Sequence, residues 1–176
     1  MRSPTPLGTN ILFLSLTLLG IDITSTLSTF VYVNRILMQI NQRLYLLSQL
    51  KSQGMNVQAL QTLFTGLIIS KITYALSSYA GQLTADDRNR IGAISRKAQR
   101  RGVSCMDFDI DDLIDSADRK LFSHITDPNH CLYHLLPPAA HHSYSLRKRQ
   151  HGYQLPHIEY NLHKNSFINR CLFNYR

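Results

Sequence analysis

The sequence predicts a mainly α-helical protein. Its expected form is a three-helix bundle with a short N-terminal strand and a partly irregular helical C-terminal extension. Three observations carry this expectation. Apolar residues recur every three or four positions from Val33 to Leu76. Gly54, Ala80-Gly81 and Gly102 interrupt the pattern at helical lengths. Asn56 and Thr84, both good helix caps, stand just after the first two stops.

The chain has 176 residues, room for one domain or a small domain with a tail. Residues 11–19 form an apolar run whose alternation continues through Gly20, Ile21, Asp22 and Ile23. That pattern suits a buried strand with a glycine bend. It also resembles the core of a secretion signal, but it is too short to span a bilayer. In residues 33–50, Val33, Leu37, Ile40, Leu44 and Leu47 share one helical stripe. Residues 57–79 are apolar nearly all round, which predicts a central helix packed on several sides. Gln58, Gln61 and Lys71 argue against a membrane span there.

Thr84 with Asp87 three residues on resembles a capping box and opens a third helix. Its inner stripe is Ile91, Ile94 and Ala98, and basic residues crowd its remaining surface. A fourth helix, residues 110–125, is expected to turn Ile110, Leu113, Ala117 and Leu121 inward before Pro128 stops it. Residues 128–156 are Pro- and His-rich and irregular, and helical spacing returns over residues 165–175. The resulting division is a strand segment over 1–30, the bundle over 31–103, an acidic helix over 104–127 and a basic extension over 128–176.

Charge is laid out unevenly. Residues 81–103 hold six basic and two acidic side chains, residues 104–130 hold two and seven, and residues 131–176 hold six and one. Two basic zones around an acidic one point to a polyanion such as RNA or DNA. The candidate phosphate contacts are Arg88, Arg96, Lys97, Arg100 and Arg101 on the third helix. Arg147, Lys148, Arg149, Lys164 and Arg170 in the tail join them, interleaved with tyrosines that can stack on bases.

Other chemistry fits less well. Asp86-Asp87 tempts a two-metal polymerase reading, but its flanks mark a helix start, where carboxylates favour the helix dipole. Asp107, Asp109, Asp111, Asp112, Asp115 and Asp118 imitate a calcium loop, yet Asp112 stands at the turn glycine and Asp118 at the terminal glutamate. Cys131 and His134 with His141 and His142 have poor zinc spacing. His124 and Asp127 miss the spacing of an iron-binding pair by one residue. No P-loop, dinucleotide fingerprint or nucleophile elbow is present, so neither cofactor nor small-molecule substrate is expected. Three dispersed cysteines predict no disulfide framework and an intracellular setting, cytoplasm or nucleus.

Several motifs resemble the region after the palm in reverse transcriptases of non-LTR (LINE-type) retrotransposons. Leu18-Leu19-Gly20-Ile21-Asp22-Ile23 resembles that family's strand, and Ile40-Asn41-Gln42-Arg43-Leu44-Tyr45-Leu46-Leu47 its following helix. Leu83-Thr84-Ala85-Asp86-Asp87-Arg88 and Lys97-Ala98-Gln99-Arg100-Arg101 follow in order. Asp127-Pro128, Leu135-Leu136-Pro137, Ser145-Leu146-Arg147 and Lys164-Asn165-Ser166-Phe167-Ile168 complete the series. Cys131 and Asn169 stand where the family often has proline. The resemblance implies a thumb-like bundle that grips a template–primer duplex, in a truncated fragment whose catalytic palm lies outside this chain. It therefore implies nucleic-acid binding without polymerase activity. The alternatives are a small helical protein-interaction protein, or a domain of the kind found beside alkylation-repair dioxygenases, whose iron ligands are missing here.

Overall fold

The computed structural model describes residues 15–140 and 151–175. It is mainly helical, with one small antiparallel sheet at the N-terminal end. That sheet is a hairpin. Strand β1 (Ser15–Leu18) pairs with β2 (Ile21–Thr24) through a two-residue turn at Leu19-Gly20. Both turn residues have positive φ, 48° and 80°, as a primed hairpin turn requires. The predicted buried strand is thus two strands. β1 is exposed throughout, and Ile21 on β2 is the hairpin's buried residue. Asp22 accepts a hydrogen bond from Arg35 at 2.8 Å, and the Tyr74 hydroxyl donates to the Leu19 carbonyl at 3.0 Å. The hairpin is therefore fastened to helix α1 through Arg35 and, at its tip, to the turn residue Tyr74.

Helix α1 (Phe30–Ser52) buries the predicted stripe of Val33, Leu37, Ile40, Leu44 and Leu47, together with Tyr32 and Ile36. Gly54, at φ 89°, ends it. Its N–H donates to Lys51, and that of Met55 to Leu50, closing a Schellman turn. Asn56 then caps α2 (Val57–Phe64) by accepting from the Ala59 N–H at 2.7 Å.

The second predicted helix is not continuous. A π-helical turn (Thr65–Ile69) follows α2, then α3 (Ser70–Thr73), then a break before α4 (Leu76–Tyr79). In the widened turn the Leu67 carbonyl accepts from the Arg43 guanidinium of α1. Ala75 adopts the left-handed conformation, φ 51°, which turns the chain into α4. By length and composition, Val57–Gln82 is the one helical stretch among the described residues fit to cross a membrane. Here it packs by one face rather than all round, burying Leu60, Phe64, Ile68 and Ile72 while Leu67 and Tyr74 stay exposed. It runs antiparallel to α1: Tyr32 meets Tyr79, ring centroids 5.0 Å apart, and Arg43 meets Leu67.

Helix α5 (Ala85–Arg100) completes the bundle with Ile91, Ile94 and Ala98 inside, as predicted. Arg90 reaches Asn34 and Lys97 reaches Asn41, so numbers rise together and α5 lies parallel to α1. Each fully buried Leu or Ile of this core stabilises it by roughly 1.5–3 kcal/mol.

Helix α6 (Ile110–Ile125) does not form a separate acidic unit. It buries Ile110, Ile114, Asp118, Phe122 and Ile125, so the expected inner stripe is rotated, and Leu113, Ala117 and Leu121 are only half-buried. Its first half completes the bundle core. Its second half builds another core with Cys171, Leu172 and Tyr175, from and just beyond α8 (Phe167–Asn174), which follows the single turn α7 (Asn161–Lys164). The irregular stretch between contributes His151, whose Nε2–H donates to the Leu172 carbonyl at 2.8 Å while its Nδ1 accepts from the Tyr153 N–H at 3.3 Å.

Where the two cores meet, Arg170 grips Asp118 with two hydrogen bonds, of 2.7 and 3.0 Å. The Asp118 side chain is 2% exposed and that of Arg170 13%. The same guanidinium donates to the carbonyls of Ser77 and Asn165. Gly81 lies so close that a Cβ there would stand 1.9 Å from the Asn165 carbonyl oxygen. Replacing Asp118 by Ala strands a buried cation, and we expect a loss of about 3–5 kcal/mol. Urea denaturation measures it; a loss below about 1 kcal/mol would contradict the role given to this pair.

Candidate nucleic-acid interface

The basic residues of α5 divide along the helix. The capping box forms as expected: the Asp87 N–H donates to Thr84 Oγ1 at 3.1 Å, and Asp87 Oδ2 accepts from the Thr84 N–H at 3.3 Å. Asp86-Asp87 therefore stands at a helix start, with Asp87 buried. In this half Arg90 lies 3.3 Å from Asp87 and 3.9 Å from Asp86, and Arg88 pairs with Asp111. Beyond Gly92 the pattern changes. Arg96, Arg100 and Arg101 are exposed and Lys97 half-buried, with no carboxylate partner for any of them among the described residues. Lys97 donates to Asn41 at 3.3 Å, and Arg100 to the Arg96 carbonyl at 3.3 Å.

Lys51, at the end of α1, joins this group. Its ammonium donates to the Arg101 carbonyl at 3.1 Å. Gly102, φ 61°, ends α5 in a second Schellman turn, and the Lys51 side chain lies over it, where a Cβ would stand 2.1 Å from Nζ. Lys51 was not among the residues picked from sequence. Its cue was its place at the end of a helix running beside the basic one.

On the opposite flank, a cleft of about 910 Å³ separates α5 from residues 106–113 and is lined by Arg88, Arg96, Asp107, Asp109, Asp111 and Asp112. Its carboxylates oppose a polyanion. Two of them are occupied in structure: Asp109 caps α6 by accepting from the Asp111 N–H, and Asp111 holds Arg88; farther along α6, Asp115 holds Arg119 at 2.7 Å. No group of three metal-ligating side chains occurs among the described residues. Cys131 and His134 are exposed, while His141 and His142 lie outside the described residues.

Arg170 is a correction. Expected to contact phosphate, it is spent on Asp118 and two backbone carbonyls at the seam, where its side chain is only 13% exposed. Arg88 is likewise partly neutralised by Asp111. Lys164 is exposed, with its ammonium 5.9 Å from the Phe173 ring centroid. Arg147, Lys148 and Arg149 lie outside the described residues. Of the tail tyrosines, Tyr175 is buried, its hydroxyl donating to the Asp115 carbonyl at 3.2 Å under the Arg119 guanidinium, whereas Tyr160 is exposed.

No family model, no curated protein and no solved structure matches this chain.

All three cysteines are thiols. Burial, helped by nearby Asp118, pushes Cys171 up to about 12. Its folded thiol keeps its proton where the unfolded one, near 9.0, gives it up, so this contribution to stability falls as pH rises past about 9. At pH 8, iodoacetamide should label Cys105 and Cys131 in the native protein and all three cysteines in urea. Rapid native labelling of Cys171, read by mass spectrometry, would contradict its burial.

Proposed function

We propose that this protein is a nucleic-acid-binding helical module that holds phosphates with Arg96, Lys97, Arg100 and Arg101. The observation that carries this is the split of charge along α5: the basic residues of its first half are ion-paired with carboxylates, and those of its second half have no ion-pair partner among the described residues, although Arg96 still lines the acidic cleft. Cations in a last helical turn do gain from the helix dipole, by about 0.3–1 kcal/mol each. Here, however, Arg96 and Arg100, and Lys97 and Arg101, are like charges four residues apart, an arrangement that weakens a helix. Lys51 adds to the repulsion. A phosphate backbone relieves it and releases counterions.

The ordered motifs supply the second support. They resemble the post-palm region of non-LTR retrotransposon reverse transcriptases, a region that grips template and primer. On this reading the chain is a reverse-transcriptase fragment that retains binding and carries no polymerase centre of its own. RNA and DNA both fit, since the contacts are to phosphate.

The double variant Arg100→Ala, Arg101→Ala removes two of the contacts. The slope of log affinity against log salt should flatten by about 1.4–1.8, from roughly 0.7–0.9 per phosphate contact. Filter binding of a short RNA and a short DNA over several salt concentrations reads this directly. An unchanged slope rules the contacts out, and salt-independent binding, or none, favours the protein-interaction alternative.

A further inference from the structure

We propose that the pocket between the N-terminal hairpin and α4 binds a small neutral molecule, with an apolar body and one polar group that hydrogen-bonds the hydroxyl of Thr29. The proposal is independent of the nucleic-acid reading. Thr29 precedes α1, about 33 Å along the helix axis from Lys51.

The pocket has a volume of about 440 Å³, within the usual range for small-molecule sites. Its walls are mostly apolar: Leu18, Ile21 and Ile23 of the hairpin, Leu27 before α1, then Tyr74 and Tyr79. No sequence motif announces it, because it is assembled from segments about fifty residues apart. No Asp, Glu, Lys, Arg or His lines it, in a chain of net charge +8. A charged ligand would lose its hydration there with nothing to offset the loss. The lining therefore selects a neutral one.

Two separate features mark this space as more than a packing gap. The first is Thr29, which lines it. A threonine at the N-cap position normally accepts from a backbone N–H two or three residues on. Thr29 makes no such bond. Its Oγ1 is buried without a hydrogen-bond partner among the described residues, and the residue is 2% exposed. An unpaired buried hydroxyl is costly, and a polar group on a ligand removes that cost. The neighbouring hydroxyls are already used: Ser78 donates to the Ala75 carbonyl at 2.7 Å and Tyr74 to that of Leu19.

The second feature is the backbone. Leu19, Leu27 and Ala75 are the non-glycine residues with positive φ among the described residues, at 48°, 57° and 51°. All three line this one pocket. Residues with a side chain rarely adopt that conformation, and such strain gathers where a ligand is clamped.

The test is equilibrium dialysis of the full chain against 2-naphthol, naphthalene and 2-naphthoate. One 2-naphthol should bind per chain. Naphthalene, which lacks the polar group, and 2-naphthoate, which is charged, should each bind at least about tenfold more weakly. Thr29→Val keeps the side chain's shape; it should weaken 2-naphthol by about tenfold and leave naphthalene within about twofold. Ser78→Phe fills the pocket from α4 and should abolish binding of both, with the circular dichroism spectrum and the salt slope of nucleic-acid binding unchanged. Equal affinity for 2-naphthoate, or 2-naphthol binding indifferent to Thr29→Val, overturns the assigned ligand class and anchor. Binding that survives Ser78→Phe, or no saturable binding of any of the three probes, overturns the site. Should Ser78→Phe fail to fold, Thr29→Val compared on 2-naphthol and naphthalene still decides.

Discussion

The buried pair of Asp118 and Arg170 joins the two halves of this molecule. Asp118 occupies a position on α6 that the helical phase assigns to an apolar residue, between Ile114 in one core and Phe122 in the other. A carboxylate there is tolerable only if a cation meets it with good geometry, and the two-pronged grip of Arg170 supplies that. Because the guanidinium also donates to Ser77 and Asn165, one side chain fixes α8 against both α6 and α4. Gly81 leaves the space that this approach needs. An apolar pair of similar volume would fill the seam without fixing the register of the chain that crosses it.

The same side-chain chemistry serves two purposes on this surface, and neighbours decide which. Arg88, Arg90, Arg119 and Arg170 each sit against a carboxylate, so their charge is spent within the fold. Arg100 and Arg101 stand beyond the acidic cleft that Arg96 still lines, and their field extends into water. Asp111 and the helix's own Asp86 and Asp87 thus neutralise the first half of the basic helix and leave the second half without an ion-pair partner among the described residues. The parallel packing of α1 on α5 brings Lys51 to the same end.

Much of this was legible in the sequence, for identifiable reasons. The α1 and α5 stripes, the caps at Asn56 and Thr84 and the stops at Gly54 and Gly102 are local features, and local rules find them. Residues 57–79 misled because apolar composition reports burial potential, whereas the number of packed faces depends on what lies alongside. The π-turn and the left-handed Ala75 leave no composition cue. The phase of α6 differs from the expected one because that stripe used apolar residues alone, whereas the buried face passes through Asp118. Its spacing of four from both Ile114 and Phe122 held the signal. The basic face of α5 was visible, but the loss of Arg170 and part of Arg88 from it was not, since both depend on partners distant in the chain.

By itself the sequence determined which segments are helical, where most of them start and stop, and that positive charge gathers beside one acidic segment. These follow from steric preferences, hydrogen bonding of helix ends and apolar periodicity, all acting over a few residues. The tertiary structure decided which cations face water, that α6 belongs to two cores, and that α1 and α5 run side by side. Those outcomes depend on contacts such as Lys51 with Arg101 and Arg170 with Asp118, about fifty residues apart. Contacts across such separations have no local signature, because it is the packing of the apolar stripes that brings the partners together.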